Sequence, residues 1–355
     1  MKYPIISFSL LFSLQVWASV LIAQQVVSGR ITDATDGKPI FYASIYIANT
    51  TIGAYSDESG NYTITIPGEG SYEIIVSHLG YKSFFHKIDL PKSFHQIDIA
   101  LKRIDIEMQE VVITPDKNYS QKDVDLFWYM LLRVKPSKKG LEVLNPEIVY
   151  FYLDSDSVLK AFCNEPIEIV NHEMGYRIRY ILQSFEHDYR INSTVFSGKP
   201  FFEELIPQNS RQKNSWEKKR QEVYAVSLTH FIRALYEDQL HEEGFLLTKI
   251  DSLQNKNTVF PSSDILQIDQ DQVQVNIESP VYLACFSKSV TEKMIENSDQ
   301  TMFNYIERFP VIMLLTQQFS IYPDGTYTGI LIIQELRNQI SGLSAMLPIE
   351  YENRM

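Results

Sequence analysis

Residues 25–103 alternate between short apolar segments and turn residues, and this rhythm constrains the fold more than any other feature. Turn signals recur about every eight to twelve residues, a spacing typical of an all-β sandwich. Within this region Tyr62, Ile64 and Ile66 alternate with two threonines, which places the three large side chains on one face of a strand. The pattern predicts a small β-sandwich of about seven strands.

Two local patterns sharpen this prediction. Segment 41–48 is expected to alternate, with Ala43, Ile45 and Ile47 on one face of a strand and Ser44 and Tyr46 on the other. Residues 56–62 predict a tight turn, because Asp57 can accept hydrogen bonds from the backbone ahead of it and Gly60 tolerates a positive φ.

Five segments of this region carry a family resemblance. They are Gly29-Arg30-Ile31, Gly37-Lys38-Pro39-Ile40, Ala43-Ser44-Ile45, Asp57-x-x-Gly60-x-Tyr62 and His78-Leu79-Gly80-Tyr81. In order and spacing they resemble the carboxypeptidase regulatory-like domain, a transthyretin-like β-sandwich. The resemblance implies a non-catalytic fold for residues 24–103. It also implies a compartment, because such domains often stand at the front of exported outer-membrane proteins of Bacteroidetes-type bacteria.

Residues 1–23 have the pattern of a secretory signal peptide. Lys2 is the only charged residue before Arg30, and 5–23 is a mainly apolar run that ends in Ala23, the expected cleavage position. The alternative is an uncleaved membrane anchor, but five polar residues interrupt the run and no positive charge follows it directly. With the family resemblance, this predicts export to the periplasm, outer membrane or cell surface of a Gram-negative bacterium.

Composition excludes several classes of function. The formal net charge is −12, which argues against nucleic-acid binding and against electrostatic binding of a basic patch to anionic lipids. Membrane association is therefore expected to be peripheral at most. Two cysteines are too few for a disulfide-rich scaffold or a four-cysteine zinc site. After export Cys163 and Cys285 could pair, but both lie in apolar, strand-like runs, and two separate buried thiols are the favoured interpretation.

After a linker at 104–118, residues 119–355 predict a larger α+β domain. A short apolar helix is expected at 124–134, followed by strand-like pieces that indicate a curved antiparallel sheet. The clearest is 176–182, where alternation places four side chains on one face: Tyr176, Ile178, Tyr180 and Leu182. Pro323-Asp324-Gly325 predicts a hairpin turn between two late strands.

One long helix is predicted from Asn214 to Leu240. Glu217, three residues after Asn214, suggests a capping box, and Gly244 is a plausible stop. The expected apolar stripe is Tyr224, Leu228, Phe231 and Leu235. Basic residues gather near its start: Arg211, Lys213, Lys218, Lys219 and Arg220. They could bind an acidic partner, but a solvated charged face is the favoured interpretation in so acidic a chain.

A second resemblance covers most of residues 120–250. It rests on Leu144-Asn145-Pro146-Glu147, Gly175-Tyr176-Arg177-Ile178-Arg179-Tyr180, Phe185 with Asp188-Tyr189-Arg190, Gly198-Lys199-Pro200-Phe201-Phe202-Glu203-Glu204, Trp216-Glu217-Lys218, Ser227-Leu228-x-x-Phe231 and the ending Leu347-Pro348-x-Glu350-Tyr351. These resemble a family of exported Bacteroidetes proteins that joins the same front domain to a β-rich region without an assigned reaction. Segment 334–346 departs from that pattern.

The sequence carries none of the common catalytic motifs. No histidine has the glutamate spacing of a zinc carboxypeptidase, and the sequence lacks a nucleophile elbow and a phosphate loop. We therefore predict no enzyme activity, cofactor or metal. Two pairs of neighbouring acids could serve glycoside hydrolysis if the carboxylates of a pair faced each other: Asp154/Asp156 and Glu203/Glu204. Three tyrosines could stack on sugars, although core packing is favoured for them: Tyr176, Tyr180 and Tyr189.

These observations predict a non-catalytic envelope protein that acts in binding or scaffolding, with an outer-membrane protein or a glycan as partner. This interpretation expects an exposed aromatic or apolar patch. The alternative is an unrecognised hydrolase, which expects a pocket with two facing carboxylates of perturbed pKa. A weaker third hypothesis is an assembly factor for outer-membrane proteins. The ligand, the oligomeric state and the face of the outer membrane stay open.

Overall fold

The computed structural model describes residues 24–90, 95–104, 118–137, 140–154, 157–251, 256–259, 261–269, 272–277, 281–285, 311–314, 318–329, 333–337 and 342–351. The predicted signal peptide and most of the predicted linker lie outside these residues. The described part is mainly β, with three α-helices. Within it, no helix is both long and apolar enough to cross a membrane.

The N-terminal region is a β-sandwich of eight strands: β1 Gln24–Asp33, β2 Ser44–Ile47, β3 Gly53–Tyr55, β4 Asn61–Pro67, β5 Gly70–Ser77, β6 Phe84–Leu90, β7 His95–Gln96 and β8 Ile99–Leu101. One sheet is built on β1, which pairs antiparallel with β4 and parallel with the short β7 and β8. The other has the order β3-β2-β5-β6. The predicted sandwich is confirmed.

The core of the sandwich follows the predicted alternation. Tyr62, Ile64 and Ile66 are buried, and the two threonines between them are exposed. The predicted turn is also present, since Asp57 Oδ1 accepts the backbone N–H groups of residues 59 and 61. Gly60 has φ +79°, and a Cβ there would lie 2.5 Å from a backbone oxygen of β1. That position therefore requires glycine.

The alternation predicted for segment 41–48 is confirmed, and both of its faces are covered. Ala43, Ile45 and Ile47 share one face and are completely buried in the sandwich core. Tyr46 lies on the other face, yet only 3% of its surface is exposed, because Phe201 of the larger region packs on it.

The larger region begins with α1 Gln121–Leu132 and a six-stranded sheet: β9 Leu141–Val143, β10 Tyr150–Leu153, β11 Val158–Phe162, β12 Ile167–Asn171, β13 Tyr176–Asp188 and β14 Ser193–Glu204. The four alternating side chains predicted to share one face of β13 are all buried against α1. Strands β13 and β14 form one long hairpin, and a bulge near Leu182 interrupts its register. Bulges of this kind bend a sheet.

The predicted single helix at 214–240 is wrong. Two helices stand there, α2 Ser210–Tyr224 and α3 Leu228–Tyr236. The Asn209 side chain caps α2 by accepting the Gln212 N–H, so the helix starts before Asn214. Ser227 caps the N-terminus of α3 by accepting the His230 N–H. The chain therefore starts a second helix here instead of continuing α2.

Two further antiparallel sheets follow α3. One has the order β16-β15-β19-β20-β23 and the other β17-β18-β21-β22. Their strands are β15 Phe245–Asp251, β16 Lys256–Val259, β17 Leu266–Asp269, β18 Gln272–Asn276, β19 Val281–Cys285, β20 Val311–Leu314, β21 Gln318–Ile321, β22 Tyr327–Gly329 and β23 Ile333–Arg337. The predicted hairpin turn at 323–325 joins β21 to β22. The chain then returns to the first sheet through the tail, residues 342–351.

Candidate functional site

The sandwich is joined to the larger region along one surface, which we call the seam. The loop between β2 and β3 lies against β14, which pairs with β13 and with no other strand of the described residues. Asn49 N donates to the Pro200 carbonyl at 2.7 Å, and Phe202 N donates to the Thr50 carbonyl at 2.9 Å. These two bonds use backbone groups of a sheet edge that would otherwise be open to solvent or to another chain.

The seam has its own apolar cluster. Tyr46, Ala48 and Ile75 of the sandwich surround Phe201 of β14, and all four side chains are buried. The rings of Tyr46 and Phe201 lie 4.8 Å apart between centroids. Aromatic pairs at this separation add to the stability that their buried area provides.

Buried polar groups from the tail and the β21–β22 turn complete the seam. Glu350 accepts short hydrogen bonds from the backbone N–H and the hydroxyl of Thr51. Asp324 accepts from the N–H and the hydroxyl of Thr326, and Thr326 Oγ1 in turn accepts from Ser71 N at 2.9 Å. Burial raises the pKa of both the Asp324 and the Glu350 carboxyl.

Arg233 of α3 ties these parts together. Its Nε donates to the Asp324 carbonyl at 3.0 Å, and its Nη2 and Nη1 donate to the carbonyls of Ile349 and Tyr351 at 2.6 and 2.9 Å. One guanidinium thus holds the turn and the tail against the helix. A planar group with several donors suits this task, which a lysine could not perform with the same geometry.

A cavity of about 450 Å³ lies beside the seam, between two hydrophobic cores of the larger region. Leu131 and Leu343 belong to the first core, and Phe231 and Phe245 belong to the second. The described walls also include residues of β14, α3, β19 and the tail, and they are mostly apolar. A volume in the range of about 300–1,000 Å³ is typical of small-molecule sites.

The cavity opens to solvent and presents mainly apolar surface. Covering apolar surface gains roughly 25 cal/mol for each Å² removed from water. Water is a poor filler because the apolar walls offer it few hydrogen bonds. An apolar occupant would therefore stabilise the folded chain.

An exposed aromatic cluster lies on the sandwich. It consists of Phe41, Tyr42 and Tyr55, whose side chains are 56%, 60% and 49% exposed. The rings of Tyr42 and Tyr55 are stacked 4.5 Å apart and nearly parallel. Tyr42 has φ +59°, an uncommon backbone conformation for a bulky side chain. Three large exposed rings held together form a surface that can stack on a partner.

The tyrosines singled out in the sequence are located differently. Tyr176 and Tyr180 are almost completely buried, which confirms core packing for both and removes them as sugar platforms. Arg220 Cζ lies 3.9 Å from the centroid of the Tyr176 ring. Tyr189 is 41% exposed, and its hydroxyl donates to the carboxylate of Asp123. Sequence reasoning did not single out Phe41, Tyr42 or Tyr55, although two adjacent aromatic residues before a strand were a signal.

Glu203 and Glu204, the acid pair that the structure describes completely, do not face each other. Glu203 and Glu204 project from opposite faces of β14, where Glu203 pairs with Arg179 at 3.0 Å and Glu204 pairs with Arg220 at 2.9 Å. Asp154 lies 3.5 Å from the Lys160 amine, and Asp156 is outside the described residues. Each acid that is described therefore has a cationic partner of its own.

The basic residues near α2 form mainly a solvated face. Lys213 and Lys219 make long pairs with glutamates of the same helix, while Arg220 is buried and donates to the carbonyls of Met174 and Gly175. Cys163 and Cys285 are both free thiols, and Cys285 is buried. No group of acidic, histidine or cysteine side chains in the described part is arranged to hold a metal ion.

Comparison with known proteins identifies one part of the chain. The CarboxypepD_reg-like domain family matches residues 27–113, which include the sandwich described above. No curated protein matches the chain.

Several solved structures show weaker likeness. A chain of a type II cohesin–X-dockerin complex from Acetivibrio cellulolyticus is 18% identical over 21% of this chain and 52% of its own length, with a TM-score of 0.19. The group B streptococcus pilus 2b backbone protein is 14% identical over 23% and 42% of the two chains, with a TM-score of 0.21. A DUF3823 family protein from Bacteroides ovatus is 10% identical over 52% and 82%, with a TM-score of 0.19. The chain thus spans about half of the cohesin–dockerin chain, and its N-terminal sandwich is similar to the CarboxypepD_reg-like domain.

Proposed function

We propose that the chain is an exported, non-catalytic protein of the bacterial envelope that acts in binding or scaffolding. Its partner is an outer-membrane protein or a glycan, and its contact surface is the aromatic cluster of Phe41, Tyr42 and Tyr55. Export follows from the signal-peptide pattern at 1–23, and association with the membrane is peripheral.

The observation that carries this proposal is the exposed, ordered aromatic cluster. Large apolar rings are normally withdrawn from water, so a cluster of half-exposed rings indicates a surface with a partner. Tyrosine is enriched at the centres of protein interfaces because it contributes much contact area and few rotatable bonds. The stacked pair Tyr42–Tyr55 is already ordered, so less conformational entropy is lost on binding.

The seam supports a scaffolding role. Tyr55 belongs to β3, which begins directly after the loop that pairs with β14. The carboxylates of Glu203 and Glu168 outweigh burial and raise the pKa of the Arg179 guanidinium. A hydrogen bond between Arg179 and Tyr55 links the aromatic cluster to β13. A partner on the cluster would therefore be held by the joined unit of sandwich and sheet.

The hydrolase alternative receives less support. Glu203 and Glu204 are each engaged by a separate arginine on opposite faces of a strand. Asp324 and Glu350 have the raised pKa that such an acid needs, but both are engaged within the seam: Asp324 accepts from Tyr72 and Thr326, and Glu350 accepts from Thr51. These contacts suit carboxyls that join domains.

The proposal is tested by affinity capture of the tagged mature protein from its own membranes, with glycan binding measured in parallel. The double variant Tyr42→Ala/Tyr55→Ala is expected to lose a specific protein or glycan that the natural chain retains. The control is Tyr150→Ala/Tyr152→Ala, which removes two tyrosines of similar exposure from β10. Equal retention by both double variants, or turnover of peptides or glycans by the purified chain, would contradict the proposal.

A further inference from the structure

We propose that the cavity between the two cores of the larger region binds a single unbranched aliphatic chain, as found in fatty acids and in the acyl part of lipids. This site is separate from the aromatic cluster, and it does not rest on the proposed function. Three features carry the inference: the chemistry of the walls, the size of the space and the nature of its mouth.

The walls are those of a site for an aliphatic ligand. Apolar side chains packed on both hydrophobic cores line the space and keep part of their surface accessible: Phe196, Met346 and Leu347 on the first core, and Val226 and Leu228 on the second. Lys199 is the one charged residue of the described lining. A ligand that needed many hydrogen bonds would leave its polar groups unpaired here.

The size fits one chain of moderate length. A space of about 450 Å³ equals the volume of about fifteen water molecules in the liquid, and a methylene group is close to a water molecule in volume. One chain of about twelve to sixteen carbons would therefore fill the cavity. A compact molecule of a few atoms would leave most of the apolar wall without contacts.

The mouth is more polar than the interior. Gln183 and Ser197 line the cavity and are exposed, and Lys199 lines it with a partly exposed side chain. Lys199 is the only lysine or arginine of the described lining. Its amine lies 2.8 Å from the carboxylate of Glu73 in the sandwich. The polar end of the ligand is placed at this mouth, where a carboxylate can share the ammonium group of Lys199.

The test is a chain-length series. Displacement of a fluorescent fatty acid from the full-length mature protein is measured with saturated fatty acids of increasing length. Affinity is expected to rise about fourfold for each added methylene and to level off at about twelve to sixteen carbons, where the cavity is full. The absence of binding, or an affinity independent of chain length, would overturn the proposal.

A matched pair of variants locates the site. Val226→Phe adds a ring inside the cavity, whereas Val195→Phe makes the same change at an exposed position of β14 outside the lining. We expect the first variant to lose at least tenfold in affinity and the second to bind as the natural chain does. Ala345→Leu, a smaller change in the lining, replaces Val226→Phe if that variant does not fold. Unchanged binding in a folded cavity variant would overturn the proposal.

The source of the chain is distinguished by its polar end. Lys199→Met is expected to weaken binding of a fatty acid and to leave binding of the alcohol of equal length unchanged, if free fatty acid is the ligand. Uptake from phosphatidylcholine vesicles with no response to this substitution would assign the site to the acyl chain of a phospholipid. A failure of all three probes would contradict an aliphatic ligand.

Discussion

The two sheets of the sandwich follow the same alternation but have different surroundings. In β4 the side chains that point away from the core, Thr63 and Thr65, are exposed. In β2 the outward Tyr46 is as deeply buried as the core, because Phe201 of the larger region covers it. The outward side chains of one sheet therefore face solvent, whereas those of the other sheet form an interface with the larger region.

The charges of the two sides differ in the same way. On the free side, Asp33 accepts hydrogen bonds from Thr35 N, the Tyr81 hydroxyl and Arg103, and these bonds hold its pKa below the ordinary value. At the seam, burial raises the pKa of Asp324 and Glu350. The two regions should therefore respond to pH in opposite directions.

The largest expected effect comes from removing the aromatic centre of the seam. Phe201→Ala deletes a side chain that is 7% exposed and packs on Tyr46. We expect the free energy of unfolding, measured by urea denaturation, to fall by about 3–5 kcal/mol. Phe41→Ala is the control, because its exposed ring should contribute less than about 0.5 kcal/mol. Equal losses in the two variants would contradict the distinction between the seam and the free surface.

The next effect concerns pH at the seam. Because the pKa of Asp324 is raised in the folded chain, the folded state binds this proton more tightly than the unfolded state does. Its contribution to stability is present at low pH and is lost as pH rises through the raised pKa. Asp324→Asn cannot ionise, so its melting temperature relative to the natural chain should increase by a few degrees between about pH 4 and about pH 7.

Asp33→Asn provides the opposite case. The pKa of Asp33 is lowered, so the carboxylate contributes stability above its ordinary pKa, and this contribution is lost as pH falls through the folded value. The variant should be less stable than the natural chain near neutral pH, and the difference should shrink as pH falls below about 4. Parallel melting curves for Asp33→Asn and Asp324→Asn, with slopes of the same sign, would be incompatible with the comparison.

The smallest effect is expected for the ion pair across the seam. Lys199 and Glu73 lie 2.8 Å apart, and both side chains are partly exposed. A double-mutant cycle with Lys199→Ala and Glu73→Ala should give a coupling energy of about 0.2–1 kcal/mol. The coupling should decrease in high salt, because exposed charges are screened. A coupling well above this range would mean that charge, and not the apolar cluster, dominates the seam.

Local features could be predicted from the sequence because they depend on neighbours in the chain. The alternation of Tyr62, Ile64 and Ile66 and the turn at Gly60 required only strand periodicity and backbone geometry. The buried face of β13 followed from the same rule. The helix break was harder, because the apolar stripe continues from α2 into α3 with a spacing that suits one helix, and only the cap at Ser227 marks the interruption.

The seam and the cavity could not be predicted, because they depend on contacts between distant parts of the chain. Alternation shows that Tyr46 lies opposite the core, but it does not show that Phe201 will cover it. Asp324 was predicted as a turn residue, while its burial requires the tail and the sandwich to meet. The cavity is formed by two cores that are separate in sequence, so no single segment reveals it.

The central claim, that one sheet of the sandwich is fastened to β14, is tested most directly by hydrogen–deuterium exchange with mass spectrometry. In the natural chain, peptides containing Asn49 and Phe202 should be protected, because their N–H groups donate across the seam. In Phe201→Ala this protection should fall while that of β1 and β4 persists. Rapid exchange of both peptides in the natural chain would contradict the account.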